Sequence, residues 1–154
     1  MRRFVFTMIE LVFVIVVLGI LAAIAIPRFA ATRDDAQIAK GRSDVSAIRA
    51  AIVSERQGRL LQGNTAYINQ LDDVTNYNAA GQTLFDDNDA NTSNGGTLLQ
   101  YGIITASGNG HWMKTAANTY TYRVMNDPVQ FTYTQATGRF DCTHSNANCK
   151  LLTE

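Results

Sequence analysis

The sequence has no excess charge of either sign: 13 Lys plus Arg stand against 13 Asp plus Glu. No basic field therefore extends over the molecule, and nucleic acid is not implied as a partner. No P-loop, G-x-G-x-x-G, H-E-x-x-H or G-x-S-x-G pattern occurs. The commonest sequence signs of nucleotide binding, zinc proteolysis and serine hydrolysis are thus missing, and every enzyme reading is weak. Cysteine is confined to Cys142 and Cys149, which leaves room for one disulfide at most. At 154 residues the chain can hold one modest domain.

What the chain has in excess is apolar residues at one end. From Phe4 to Ile26 only Thr7 and Glu10 are polar. Up to Leu60 there are nine basic and five acidic residues, and beyond it four basic and eight acidic. A compact soluble enzyme explains that split poorly. Leu11 to Ile26 is sixteen residues without a polar side chain, and Phe6 to Ile26 is 21 residues. As helix that longer stretch measures about 31 Å, close to the roughly 30 Å hydrocarbon core of a bilayer. Arg2 and Arg3 before it favour a cytoplasmic N-terminus, while Arg28 and Arg33 after it reduce the asymmetry. A secretory signal peptide is the competing reading, with Ala22, Ala23 and Ala25 imitating a cleavage site. A buried helix of a soluble protein would need more surrounding chain than this sequence supplies. Glu10 then stands out, because a carboxylate inside a lipid-facing segment is costly and normally has a partner. A position in the headgroup region would also account for it.

The stretch FTMIELVFVIVVLGILAAIAIP, Phe6 to Pro27, resembles the N-terminal segment of type IV pilins and of the pseudopilins of type II secretion. An aromatic residue, a Thr, an Ile-Glu-Leu triplet, an unbroken apolar run and a final Pro carry the likeness. The resemblance implies a leader, residues 1–5, removed between Val5 and Phe6 by a membrane aspartic peptidase that also N-methylates Phe6. Val5 stands where the family usually has Gly or Ala. The resemblance further implies that Glu10 pairs with the Phe6 amine of a neighbouring subunit, a pairing that reads as register and recruitment rather than net stability. Gly19 and Pro27 would bound a stretch that loosens on assembly. The implied fold is α+β and pilin-like, a long N-terminal helix on a small antiparallel sheet. The expected layout is a leader (1–5), a membrane and filament-core segment (6–27), an amphipathic continuation (28–60) and a periplasmic domain (61–154). Implied partners are homologous pilin subunits, the prepilin peptidase, an inner-membrane assembly platform and the lipid bilayer. The implied roles are a secretion pseudopilus or a type IV pilus for adhesion, motility or DNA uptake.

Helical periodicity persists beyond Pro27, where a kink is expected because proline removes a backbone donor and crowds the preceding turn. Ile38, Val45, Ile48 and Ile52 form one apolar stripe. Glu55 and Arg59 make an i,i+4 pair, and Arg42, Arg49 and Arg56 are expected to solvate the other face. The pattern predicts one helix over about residues 6–59, ended by Gly58 and Gly63.

The remainder predicts a short helix near Thr65 to Asp72, with Tyr67, Ile68, Leu71, Val74, Leu84 and Phe85 as anchors. Strands are expected at 97–106, 118–125, 129–134 and 138–142, with turns at Asn126-Asp127-Pro128 and at 135–138. His111, beside Trp112 in a Gly-rich stretch, is expected at the surface. In an exported domain Cys142 and Cys149 read as a disulfide, with metal binding by Cys142, His144 and Cys149 as the alternative. Asp87, Asp89 and Asn91 have the first spacings of a calcium loop, but Thr92 and Leu98 stand where an EF-hand needs Gly and Glu. Asp86, Asp87, Asp89 and Asn91 remain candidates for a weaker calcium site, and no other cofactor is implied. Asn91-Thr92-Ser93 matches the minimal N-glycan acceptor.

Overall fold

The computed structural model describes residues 7–86 and 98–154. The chain divides into two compact units, with the boundary between Ala36 and Gln37. Helix α1, Met8–Leu61, runs through both and includes Pro27 in its helical backbone.

In the first unit the helix begins at a built cap. Thr7 Oγ1 accepts from the Glu10 amide at 3.3 Å, and Thr7 O accepts from the Leu11 amide at 3.2 Å. From Met8 to Ala25 the helix is long and apolar enough to cross a membrane, and none of that stretch is buried.

The second unit, Gln37–Glu154, holds the remainder of α1 and all the β-structure. A two-residue ribbon pairs β1 (Thr83–Leu84) with β2 (Ile103–Ile104). Four strands, β3 (Trp112–Ala116), β4 (Thr119–Val124), β5 (Asp127–Thr134) and β6 (Arg139–Cys142), form an antiparallel meander in sequence order. A last helix, α2, spans Ala147–Thr153, capped by Asn146 Oδ1, which accepts from the Asn148 amide at 2.8 Å.

Alternation assigns the two faces of the sheet. Tyr120, Tyr122 and Val124 of β4 and Val129, Phe131 and Tyr133 of β5 point inward, while Thr121, Arg123, Gln130, Thr132 and Thr134 point out. Register places Tyr120 opposite Phe131, Tyr122 opposite Val129, and Phe140 opposite Tyr133. The inner face meets Val45, Ile48 and Ile52 of α1, so three residues of the expected stripe are buried and Ile38 packs at its edge. An aromatic cluster fills the centre: Phe85 makes edge contacts with Trp112 and Phe140, and Phe131 stacks on Phe140 at 5.2 Å. Such ring pairs add about 0.5–1.5 kcal/mol each beyond the area they bury.

Several expectations are corrected. Residues 65–72 are not helical: Ile68 and Leu71 are buried singly, and the carbonyls of Ile68 and Asn69 accept from Tyr133 Oη and Asn118 Nδ2. Side chains of the sheet thus satisfy the backbone groups that a helix would pair internally. Of the strand expected at 97–106, among the described residues only Ile103–Ile104 forms. The β4–β5 turn is Met125-Asn126, both at positive φ (49° and 64°), as a two-residue hairpin requires. Asp127 and Pro128 therefore lie within β5. His111 is exposed as expected, and Trp112 beside it is fully buried at the start of β3. Gly58 lies inside α1; the stop is Gly63 (φ 79°), where Asn64 N bonds Arg59 O and Gly63 N bonds Leu60 O.

Candidate functional site

The candidate assembly segment begins with the Thr7–Glu10 cap. A Thr followed three residues later by Glu is the spacing of a capping box, so the sequence carries a signal for this cap beside the lone carboxylate of Glu10. Glu10 lies in the first turn, where a carboxylate also complements the helix dipole. It is exposed, as are its apolar neighbours Ile9, Leu11 and Phe13. Gly19 has open space around it, with nothing within 4 Å of a Cβ placed there. Val5 and Phe6, the expected cleavage pair, lie outside the described residues, as do Asp87, Asp89 and Asn91 of the expected calcium and glycan sites. Asp86 is described and is half-buried.

In the second unit the basic residues of α1 do not simply solvate a face. Arg49 Nε donates to Phe140 O at 3.0 Å and Arg49 Nη2 to Asp141 Oδ1 at 3.0 Å. Arg42 donates to Leu151 O, and Arg56 to Thr65 O. Lys40 reaches Gly110 O at 2.6 Å. The cations bind carbonyls of β6, of loops and of α2, so the basic stripe also holds the domain together, although Arg42 stays exposed as expected. Arg59 and Glu55 do form the expected pair, at 2.7 Å.

Two carboxylates on this interface are perturbed in opposite directions. Burial pushes Asp44 up, against the lowering effects of its hydrogen bond from Trp112 Nε1 (3.0 Å) and of Lys40. At Asp141 burial also pushes up, but His144, the Cys142 amide, Arg139 and Arg49 together hold the carboxyl below its ordinary value. Burial is also the main cause that raises the phenols of Tyr122 and Tyr133 to about 12.

Cys142 and Cys149 are joined by a disulfide that ties β6 to α2. That bond uses both sulfurs, so the alternative of a Cys142, His144 and Cys149 metal site does not hold here. His144 instead lies 3.1 Å from Asp141 Oδ1. Among the described residues no group of three or more His, Cys, Asp or Glu side chains is placed to hold a metal ion.

Comparison of the chain with known protein families, curated proteins and solved structures finds no match.

Proposed function

We propose that the chain is a structural subunit of a type II secretion-like filament, a pseudopilin, which acts by assembly rather than by catalysis. One observation carries the reading: the first unit presents an exposed, uninterrupted apolar helix whose sole ionisable side chain between Met8 and Ala25 is Glu10, one turn from its start. Such a surface demands an apolar environment, and each large side chain contributes about 1.5–3 kcal/mol when it leaves water. In the membrane the lipid supplies that environment; in a filament the same segment of neighbouring copies supplies it. Leader removal before Phe6 would create an amine that the Glu10 of the next subunit can pair with, so charge neutralisation and axial register coincide. The head would then lie in the periplasm, where its disulfide persists.

N-terminal sequencing of the mature protein tests the reading directly. N-methylated Phe6 as first residue is the expected result, and a start near Ile26 would indicate a cleaved secretory signal and sink it. Glu10→Ala should leave the monomer inserted and folded but poor at entering filaments, and normal filament yield from that variant would remove the pairing role. Val5→Gly should speed leader removal without altering the mature product. Filaments found outside the cell would favour a type IV pilus over a periplasmic pseudopilus.

A further inference from the structure

The outward face of the four-stranded sheet carries a cleft of about 330 Å³ beside the 106–111 loop. Its chemistry is one-sided. Arg123 and His111 are its ionisable groups, Asn78, Ser107, Thr115 and Thr121 bring amide and hydroxyl groups, and no carboxylate lines it among the described residues. Met113 and Pro128 give it an apolar patch. Asp127, next to Pro128 in the chain, is engaged elsewhere: its Oδ2 accepts from Asn148 Nδ2 at 2.7 Å and Asn146 Nδ2 at 3.4 Å.

Arg123 differs from the other arginines of this unit. Arg42, Arg49, Arg56, Arg59 and Arg139 each donate to a carbonyl or a carboxylate of the chain. Arg123 is exposed and has no ion-pair or side-chain hydrogen-bond partner among the described residues. The wall of the cleft is nevertheless held firmly. Gly110 N donates to Arg123 O at 2.7 Å, Arg123 N to His111 O at 3.2 Å, and Ala106 N to Trp112 O at 3.3 Å. Asn109 and Asn126 exchange hydrogen bonds at 3.0 and 3.1 Å. A free guanidinium thus faces a preformed concavity.

We propose that this cleft binds one acidic sugar residue, a ring bearing a single carboxylate and several hydroxyls. A single guanidinium presents the planar fork that matches one carboxylate. Hydroxyl and amide side chains both donate and accept, as ring hydroxyls require. The apolar patch suits the C–H face of a sugar ring. The volume lies near the lower end of small-ligand pockets, about 300–1,000 Å³, which suits one ring rather than a long chain. This inference is independent of the filament reading and of the fate of the leader.

Saturation-transfer NMR on the full chain in detergent micelles, with sodium galacturonate as probe, tests it. Galacturonate should bind, and Arg123→Gln should weaken it about tenfold while the melting temperature stays unchanged. Methyl galactoside, which keeps the hydroxyls and lacks the charge, and acetate, which keeps the charge and lacks the ring, should each bind about tenfold more weakly. Thr121→Val should weaken galacturonate but not acetate. No transfer to galacturonate at about 10 mM, beyond the millimolar range that such a small contact supports, would overturn the proposal. Equal binding by the Arg123→Gln variant, or inorganic phosphate bound as tightly as galacturonate, would overturn it too.

Discussion

Lys114 of β3 donates to Asp72 across 2.6 Å, with 3 % and 0 % of their side chains exposed. The pair spans 42 residues of sequence and ties the segment after α1 to the sheet. Rings of Tyr77 and Tyr120 each lie 5.8 Å from the ammonium. Burial, with the Asp72 charge beside it, pushes the Tyr120 phenol far up, so it stays protonated throughout the working pH range.

Removing one partner of such a pair leaves the other charge buried and alone. Asp72→Ala or Lys114→Ala should therefore cost about 3–5 kcal/mol of stability, whereas a double replacement by apolar residues of matched volume should cost far less. Denaturant unfolding of the two single variants and the double variant measures this. Additive losses in the double variant would show that the two residues act separately.

The two interface carboxylates predict opposite pH behaviour. Asp141 has a lowered carboxyl in the folded state, so its stabilisation is full above the ordinary carboxylate range, near 3.9, and is lost as pH falls through its folded value. Asp44 is raised, so folding favours its protonated form; that contribution is present below about pH 3.9 and is lost as pH rises through its folded value. Asp141→Asn should thus destabilise the protein at neutral pH and flatten its acid unfolding. Asp44→Asn keeps an oxygen to accept from Trp112 and should be neutral or stabilising at pH 7. Unfolding curves across pH 3–7, about the carboxylate range, read both slopes.

Much of this fold was legible where periodicity and burial coincide. The stripe Val45, Ile48 and Ile52 sits at the core, and β4 and β5 form where strands are expected at 118–125 and 129–134. Strand β3 was not, because WMKTA puts a lysine at an inward position and so breaks the apolar alternation; Asp72, distant in sequence, and the rings of Tyr77 and Tyr120 make that burial tolerable. Helix α2 was missed for a related reason. Seven residues are too few to hold a helix alone, and the disulfide and buried Leu152 supply what propensity lacks. Its Asn146 cap was readable in the sequence. Arg49 was expected in solvent because a helical wheel shows which side a residue is on, not which carbonyl the opposing strand leaves open. Glu10 was visible at once as a lone carboxylate, while its Thr7 companion was a three-residue spacing hidden in an apolar context.

The disulfide should contribute modestly. It closes a short loop, the two cysteines lying seven positions apart. The chain-entropy estimate for such a loop is about 2 kcal/mol. Cys142→Ser with Cys149→Ser should lose about that much, with α2 the first segment to gain hydrogen exchange. Equal exchange of residues 147–153 in both proteins would mean that Leu152 packing alone holds the helix.

Two glycines of α1 predict substitutions of opposite sign. A Cβ at Gly41 would stand 2.6 Å from both Leu152 Cδ2 and Tyr122 Cε1, so side chains of α2 and β4 occupy the space an alanine methyl would need. Tyr122 Oη also donates to Gln37 O at 2.7 Å, which limits how far that ring can withdraw. Overpacking of this kind costs about 1–3 kcal/mol, more than alanine's gain in helix propensity returns. Gly58 has nothing within 4 Å of its Cβ position and sits in the same helix. There alanine should add about 0.5–1 kcal/mol. Thermal unfolding of Gly41→Ala and Gly58→Ala should move in opposite directions. A stabilised Gly41→Ala variant would mean that α2 can leave its seat against α1 at little cost.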